Sequence, residues 1–190
     1  MRTILRAALP LLAAGLAAGL AGCTSQPDHR AETAPPATVE TLDLGRYAGT
    51  WHEIMRYPNR FEEGCADVTA TYGVFREDLV TVRNACTRDG EETVASGLAR
   101  RTSEATLEVR FAPDFLAFLP FVWGDYWVLA LEEDQGAYVG ALVGSPDGKY
   151  LWVLARDAAP DPAMIERLVA AAAARGYDTD ALVRTPRTER

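Results

Sequence analysis

Eight short segments rich in β-branched and aromatic residues follow one another through the middle of the chain, and they constrain the fold more than any other feature. Turn-forming residues separate them, for example Asp89-Gly90 and the run Ser145-Pro146-Asp147-Gly148. All the links except one have hairpin length, which is typical of an antiparallel sandwich or barrel. Eight strands are also enough for a closed barrel to hold one small ligand. The predicted strands cover residues 51–57, 66–75, 79–87, 93–101, 105–111, 123–132, 137–144 and 149–156.

One helix is predicted after the strands. Asp161 can cap it, Pro162 suits its first position and Gly176 can end it. Apolar residues at helical spacing give it one buried stripe, formed by Met164, Ile165, Leu168 and Val169. A short strand over residues 181–185 is predicted to pair with the edge of the sheet. The expected fold class is therefore all-β, with one C-terminal α-helix.

The N-terminus predicts a secreted chain. Arg2 and Arg6 precede an apolar run over residues 7–20 and then small residues, which is the layout of a signal peptide over residues 1–22. The run is shorter than the roughly 20 residues that a membrane-spanning helix needs. Cys23 follows immediately and resembles the acylated cysteine of the bacterial lipoprotein lipobox. The alternative is an ordinary signal peptide that happens to precede a cysteine.

The segment after Cys23 is polar, contains prolines and has no period, so we expect a lipidated, flexible tether over residues 23–41. As a coil its 17 residues from 24 to 40 span on the order of 23 Å. One domain is expected over residues 42–186, with a tail over 187–190. Loss of the two arginines in the signal peptide moves the net charge from −8 to −10. That acidity argues against a nucleic-acid partner.

Two cysteines remain once Cys23 is set aside, namely Cys65 and Cys86. In an oxidising envelope compartment such a pair is most simply a disulfide. It would close a loop of about 20 residues and stabilise the fold by roughly 3 kcal/mol. The alternative is a free reactive thiol, which requires a nearby base or cation.

Two motifs resemble those of lipocalins. The segment 44–62 resembles their opening motif, with Gly49-Thr50-Trp51 as its Gly-X-Trp core, and the segment 150–156 resembles their late strand, which ends in an arginine, here Arg156. The middle motif departs from the family, because Glu132-Glu133-Asp134 stands where Thr-Asp-Tyr is usual. The Pro-Asn-Arg-Phe-Glu sequence and the lipobox together resemble bacterial outer-membrane lipocalins, relatives of apolipoprotein D. The resemblance covers residues 42–185.

The resemblance implies an eight-stranded up-and-down barrel closed at one end by Gly49, Trp51 and Arg156. Packing of the guanidinium on the indole would be a cation–π contact worth about 2 kcal/mol when desolvated. It also implies a carrier of a fatty acid, a lysophospholipid or a similar amphiphile, without cofactor or metal. Such a carrier would store or transport lipids in the bacterial envelope, anchored by its lipid to the outer membrane and facing the periplasm. Thr24 follows Cys23, at the position where an aspartate is associated with retention of a lipoprotein at the inner membrane.

An aromatic loop is the first candidate for the ligand site. It lies between the fifth and sixth predicted strands and contains Phe111, Phe115, Phe118, Phe121 and Trp123. Loops are normally polar, and an apolar loop marks a ligand mouth, a protein contact or a membrane contact. We interpret it as a lip over the barrel mouth, with contact to lipid or to a second subunit in a homodimer left open. The alternative is a loop folded inward as extra core.

Strand residues supply the other candidate contacts. The aromatics Tyr126, Trp127 and Tyr138 are candidate wall residues, although the sixth strand carries large residues on both faces and its inward set cannot be chosen from period alone. Three strand arginines could meet a carboxylate or phosphate headgroup if they point inward, namely Arg56, Arg83 and Arg110.

The sequence does not indicate an enzyme. His29 lies in the tether, His52 stands alone on the first strand, and no metal-binding or phosphate-binding motif occurs. A nucleophilic cysteine is known in the wider lipocalin group, and Cys65 is the candidate here if Cys86 does not pair with it. A different class of function is a structural or protein-interaction lipoprotein whose barrel is filled by its own side chains.

Overall fold

A computed structural model describes residues 26–188 of the chain. The predicted signal peptide, the predicted lipidation of Cys23 and the last two residues of the predicted tail lie outside the described residues. Within the described part, no helix is long and apolar enough to span a membrane.

Within residues 26–188, nine strands form one antiparallel sheet. The strands are β1 (Gly49–Arg56), β2 (Ala66–Arg76), β3 (Leu79–Arg88), β4 (Glu91–Arg101), β5 (Thr106–Arg110), β6 (Gly124–Asp134), β7 (Ala137–Gly144), β8 (Leu151–Ala155) and β9 (Val183–Arg184). Neighbours in sequence pair from β2 to β8, and β1 pairs with both β8 and β2, which closes the sheet into an eight-stranded barrel. The predicted fold class is confirmed.

Strand boundaries differ from the predicted ones by a few residues. β4 begins two residues early, at Glu91, because the turn at Asp89 and Gly90, both with positive φ, is tight enough for pairing to start immediately. The predicted eighth strand is shorter than expected, since β8 runs only over Leu151–Ala155. A one-turn helix that the sequence did not predict, α1 (Leu44–Tyr47), precedes β1 and is capped by the Asp43 side chain.

The C-terminal helix, α2 (Pro162–Ala173), packs on the outside of the barrel. Asp161 caps it by accepting a hydrogen bond from the Ala163 N–H, as the sequence predicts. Met164, Ile165 and Leu168 are buried against outward-facing side chains of β6, β7 and β8. A second cluster fills the lower part of the barrel interior around Trp51 and Val128. The barrel wall therefore separates two apolar layers, one inside and one beneath the helix.

The seam between β1 and β2 is short. The two strands pair only over Gly49–His52, and further along β1 the partner is β9, through Met55 and Arg56. The chain beyond β9 continues across the gap, where the Asp67 N–H donates to the Pro186 carbonyl and Thr188 hydrogen-bonds to the Asp67 carboxylate. The last described residues thus close the wall where β1 and β2 diverge.

The segment 26–41, here called the N-terminal strap, differs from the expected flexible tether. It lies against the barrel, because the buried Arg30 guanidinium donates to the carbonyls of Arg175 and Glu32, at 2.8 and 2.7 Å. Its backbone forms a bridge to Tyr177, and Val39 N–H donates to the Val128 carbonyl. Polar composition suggested a solvated coil, but the side chains of Gln26 and Arg30 and several backbone groups of the strap are hydrogen-bonded to the folded domain.

Candidate ligand site

The barrel encloses a cavity of about 770 Å³. Its walls are mainly apolar and come from alternate residues of the strands, such as Val80, Val82, Leu107, Val109 and Leu154. The volume lies within the range of roughly 300–1,000 Å³ that is typical of small-molecule sites. The interior is thus not filled by the protein's own side chains.

One end of the barrel is closed. Trp51 is fully buried there, and the Arg156 guanidinium carbon lies 3.9 Å from the centroid of its indole. The same guanidinium donates to the backbone carbonyls of Thr50 and Ala48 at 2.8 and 2.7 Å, and also to those of Arg46, Tyr47 and Tyr138. Gly49 has a φ of +97°, and a side chain there would meet the Arg156 Nη1 atom at 3.2 Å.

The cavity floor above Trp51 carries three tyrosine hydroxyls. The Tyr126 hydroxyl lies 2.7 Å from that of Tyr47 and 2.9 Å from that of Tyr72, and all three side chains line the cavity. Burial raises the pKa of each of these phenols above its ordinary value. The floor is therefore polar but uncharged at any physiological pH.

A carboxyl pair lies in one wall. Glu53 is buried, accepts a hydrogen bond from the Thr185 hydroxyl at 2.5 Å and is paired with Arg56 at 2.8 Å. Arg56 also pairs with Glu62 at 3.5 Å, so that one guanidinium serves two carboxyl groups. Burial, and then the charge of Glu62, raise the pKa of Glu53 to about 8. Burial thus favours the protonated form of the Glu53 carboxyl to a higher pH than for an exposed glutamate.

Stacked aromatics and two arginines line the mouth. Tyr150 and Trp152 stack at 5.5 Å between ring centroids, and Phe61 stacks on Tyr150 at 6.2 Å. The Arg60 guanidinium lies 4.9 Å from the Phe61 ring, and Arg88 donates to the Phe61 carbonyl at 2.9 Å. The mouth thus combines aromatic faces with charged side chains of both signs, because Glu62, Asp125 and Asp147 line the cavity as well.

The aromatic loop between β5 and β6 has a definite conformation with two turns of 3-10 helix, Asp114–Leu116 and Pro120–Val122. The Trp123 indole N–H donates to the Ala117 carbonyl at 2.9 Å, and the guanidinium carbons of Arg100 and Arg110 lie 4.0 and 5.1 Å from the centroid of its ring. This anchoring leaves three phenylalanines outside, with Phe115, Phe118 and Phe121 between 74% and 79% exposed.

The predicted ligand-contact residues divide into two groups. Phe111, Phe121, Trp123 and Tyr126 line the cavity. Phe115 and Phe118 do not, because the 3-10 turns direct them into solvent.

Two strand aromatics also lie away from the cavity, which corrects their prediction. Trp127 follows the inward Tyr126, so the alternation of the strand points it outward onto the layer beneath α2. Tyr138 lies at the start of β7, hence at the closed end, where the Arg46 guanidinium covers its ring at 3.9 Å.

The three arginines that were predicted to contact a ligand headgroup do not line the cavity either. Arg83 points outward and pairs with Glu92 at 3.2 Å. Arg56 is buried but engaged with the two glutamates, and Arg110 is buried but holds the aromatic loop through Ala112 and Asp114. The arginines that line the cavity are Arg60 and Arg88, which belong to the mouth.

Cys65 and Cys86 form a disulfide, with their Cα atoms 5.5 Å apart, as predicted. The free-thiol alternative for Cys65 is therefore wrong for this structure. The bridge lines the cavity near its mouth and ties the start of β2 to the end of β3. Among the described residues, no group of three or more histidine, cysteine or acidic side chains is arranged to hold a metal ion.

Several residues of the site were missed from the sequence. Glu53 lies two residues after Trp51 on the same strand, and strand alternation therefore puts both side chains inside the barrel. Trp152 and Leu154 share the inward face of β8 for the same reason. Glu62 carries no such signal, because it lies in an irregular loop.

Comparisons with known proteins agree with this geometry. Residues 42–187 match the family described as a lipocalin-like domain. Temperature-induced lipocalin-1 of Arabidopsis thaliana is 36% identical over 157 residues, which cover 80% of this chain and 82% of that protein. Outer membrane lipoprotein Blc of Escherichia coli K12 is 36% identical over 182 residues, which cover 92% of this chain and 94% of that protein.

A solved structure is similar in fold. Insecticyanin from the tobacco hornworm Manduca sexta superposes with a TM-score of 0.63 at 18% identity, covering 86% of this chain and 88% of that one. At this identity the likeness concerns the fold alone.

Proposed function

Because the chain belongs to the lipocalin-like domain family, we propose that it binds fatty acids, lysophospholipids or similar amphiphiles and stores or transports them in the bacterial envelope. The observation that carries the proposal is the cavity of about 770 Å³ with apolar walls and one open end. Burying about twelve methylenes there would yield about 10 kcal/mol before the costs of association. The similarity to the outer membrane lipoprotein of E. coli supports an outer-membrane location and a lipid anchor at Cys23.

The acyl chain of the ligand is proposed to lie between the wall valines and leucines, with its headgroup at the mouth. Arg60 and Arg88 at the mouth can meet a phosphate or carboxylate. Phe111, Phe121, Trp123 and Tyr126 are the proposed aromatic contacts. Arg56 is already paired with Glu53 and Glu62, so it is not proposed as a headgroup contact.

The role proposed is binding rather than catalysis, and no cofactor enters it. The alternative of a structural lipoprotein requires a filled barrel, and the empty volume argues against it. The aromatic loop remains a candidate contact with a second copy of the chain, as proposed from the sequence.

The proposal is tested by lipid extraction of the purified protein and mass spectrometry, together with uptake of a fluorescent fatty acid. A co-purified amphiphile and saturable uptake are expected. Ala99→Trp places an indole in the cavity wall and should abolish uptake, whereas Ser96→Trp on the exposed face of the same strand should not. Absence of lipid and of uptake in the folded wild-type protein would contradict the proposal. Far-UV circular dichroism establishes that each variant folds.

A further inference from the structure

The N-terminal strap fixes where the chain leaves the barrel. Gln26, the first described residue, donates from its side chain to the carbonyls of Pro58 at 2.5 Å and Lys149 at 3.3 Å. Pro58 follows the end of β1, and Lys149 precedes the start of β8. In an up-and-down barrel these positions belong to the same end, and here that end is the mouth of the cavity.

Further contacts hold the strap in this place. The His29 N–H donates to the Gly148 carbonyl at 3.1 Å, and the Ala31 N–H donates to the Gly176 carbonyl at 3.2 Å. Gly148 has a φ of +72°, and a side chain there would meet the Arg30 backbone nitrogen at 2.8 Å. The turn between β7 and β8 thus needs a glycine where the strap crosses it.

The exposed phenylalanines concentrate at the same end. Phe61 precedes β2, and Phe115, Phe118 and Phe121 belong to the loop between β5 and β6, all of them at least 61% exposed. At the closed end the exposed large apolar residues are Val74 and Phe75, among the residues that the structure describes. Aromatic residues on a loop are suited to the interface between water and lipid.

Gln26 is three positions after Cys23, and a fully extended chain of three steps spans no more than about 11 Å. An acyl group on Cys23 would therefore enter the membrane within that distance of the rim. From Gln26 onward the strap is hydrogen-bonded to the barrel, so these residues do not act as the flexible tether that the composition suggested.

We propose that the protein docks on the lipid surface with its mouth toward the membrane, with Phe115, Phe118 and Phe121 inserted among the lipids. This inference rests on the proposed lipid anchor at Cys23. The occupant of the exposed apolar loop is then the bilayer itself rather than a second copy. An amphiphile can pass between the bilayer and the cavity without crossing bulk water.

The test uses the full-length lipidated protein in vesicles of phosphatidylethanolamine and phosphatidylglycerol. A polarity-sensitive fluorophore is attached to a single cysteine introduced by Phe118→Cys or, as the matched control, by Phe75→Cys. Both native residues are exposed phenylalanines, but they lie at opposite ends of the barrel. The disulfide occupies Cys65 and Cys86 and acylation blocks the thiol of Cys23, so in the lipidated protein the introduced thiol is the one that reacts.

The probe at 118 should shift to the blue and lose most of its emission to lipid-borne quenchers, while the probe at 75 stays water-exposed. A water-exposed probe at 118, or equal quenching at both sites, would overturn the inference. If the probe at 118 were shielded from water without vesicles, and increasingly so at higher protein concentration, the loop would be a contact between subunits and the inference would be overturned.

The strap is tested separately. Arg30→Ala removes its buried anchor and should reduce quenching at 118, whereas Thr33→Ala at an exposed strap position should leave it unchanged. Equal quenching in both would contradict the role of the strap.

Failure of the anchor is recognised independently. Mass spectrometry of the chain reports acylation of Cys23, and flotation reports whether the protein remains on vesicles. A chain without acyl groups overturns both the anchor and the docking, while fatty-acid uptake still tests the carrier function. An acylated chain with probe 118 in water overturns the docking alone.

Discussion

The closed end and the open end of this barrel are built from the same eight strands but are stabilised in different ways. At the closed end, Arg156 covers Trp51 and donates to five backbone carbonyls, and the exposed large apolar side chains among the described residues there are Val74 and Phe75. At the open end a disulfide ties β2 to β3, and the phenylalanine side chains point outward. The closed end is therefore stabilised by a cation–π contact and hydrogen bonds, whereas the open end is stabilised by a disulfide that leaves the cavity accessible.

The largest effect is expected from Arg156→Ala. The substitution removes the cation–π contact and leaves five carbonyls, three of them in partly buried hydrogen bonds, without this donor, so the free energy of unfolding should fall by about 3 to 4 kcal/mol. Arg83→Ala, on an exposed strand face with one ion pair, should change it by less than about 1 kcal/mol. Urea unfolding followed by tryptophan fluorescence measures both. Equal small losses would show that the closed end does not depend on the guanidinium.

A loss of about 3 kcal/mol is expected for the double substitution Cys65→Ala and Cys86→Ala, since the disulfide joins residues 21 apart in sequence. Because the bridge lines the cavity near its mouth, uptake of a fluorescent fatty acid should weaken as well. Retained uptake in the folded double variant would mean that the open end keeps its shape without the covalent link.

The next prediction concerns the carboxyl pair Glu53 and Glu62, which lies in the cavity wall. Folding raises the pKa of Glu53 from 4.5 to about 8, so the folded chain binds one more proton than the unfolded chain between these values. The free energy of unfolding should therefore fall as pH rises through this interval, by at most about 1.4 kcal/mol per pH unit. Glu53→Gln, which mimics the protonated form, should remove this dependence.

Urea titrations from pH 5 to pH 9 measure the slope for the wild type and the variant. Glu92→Gln is the matched control, because Glu92 is exposed and its removal should leave the slope intact. The idea of a buried proton on Glu53 fails if the wild type and Glu53→Gln give parallel curves.

The smallest effect is expected from a pair of arginines that each pack on a neighbouring phenylalanine. Arg60 lies 4.9 Å from Phe61 at the mouth, and Arg76 lies 5.7 Å from Phe75 at the closed end. Arg60→Ala should weaken binding of a lysophospholipid about threefold, as expected for one exposed charge pair. Arg76→Ala should have no effect on binding. Isothermal titration measures both affinities, and equal behaviour would remove Arg60 from the headgroup site.

Most of the fold could be predicted from the sequence because strand alternation and turn residues are local signals. The helix start at Asp161 and Pro162 is a signal of the same kind. The sequence alone could not show which of Tyr126 and Trp127 points inward, because both are large and apolar. The pairing of β6 with its neighbours decides this.

The strap and the carboxyl cluster depended on information that the sequence does not carry locally. A polar, proline-containing segment predicts a coil, but Arg30 is buried because a carbonyl 145 residues away lies within reach of its side chain. Glu53 could have been placed inside from its spacing to Trp51, whereas its partners Glu62 and Thr185 meet it only once the loops and the C-terminal segment have folded.

The short seam between β1 and β2 bears on how the chain is made. β1 is synthesised before every other strand, yet two of its three partners, β8 and β9, come from the far end of the sequence. A chain synthesised from its N-terminus therefore cannot complete the ring until β8 and β9 have been made. Contacts so distant in sequence are expected to make folding of the barrel slow.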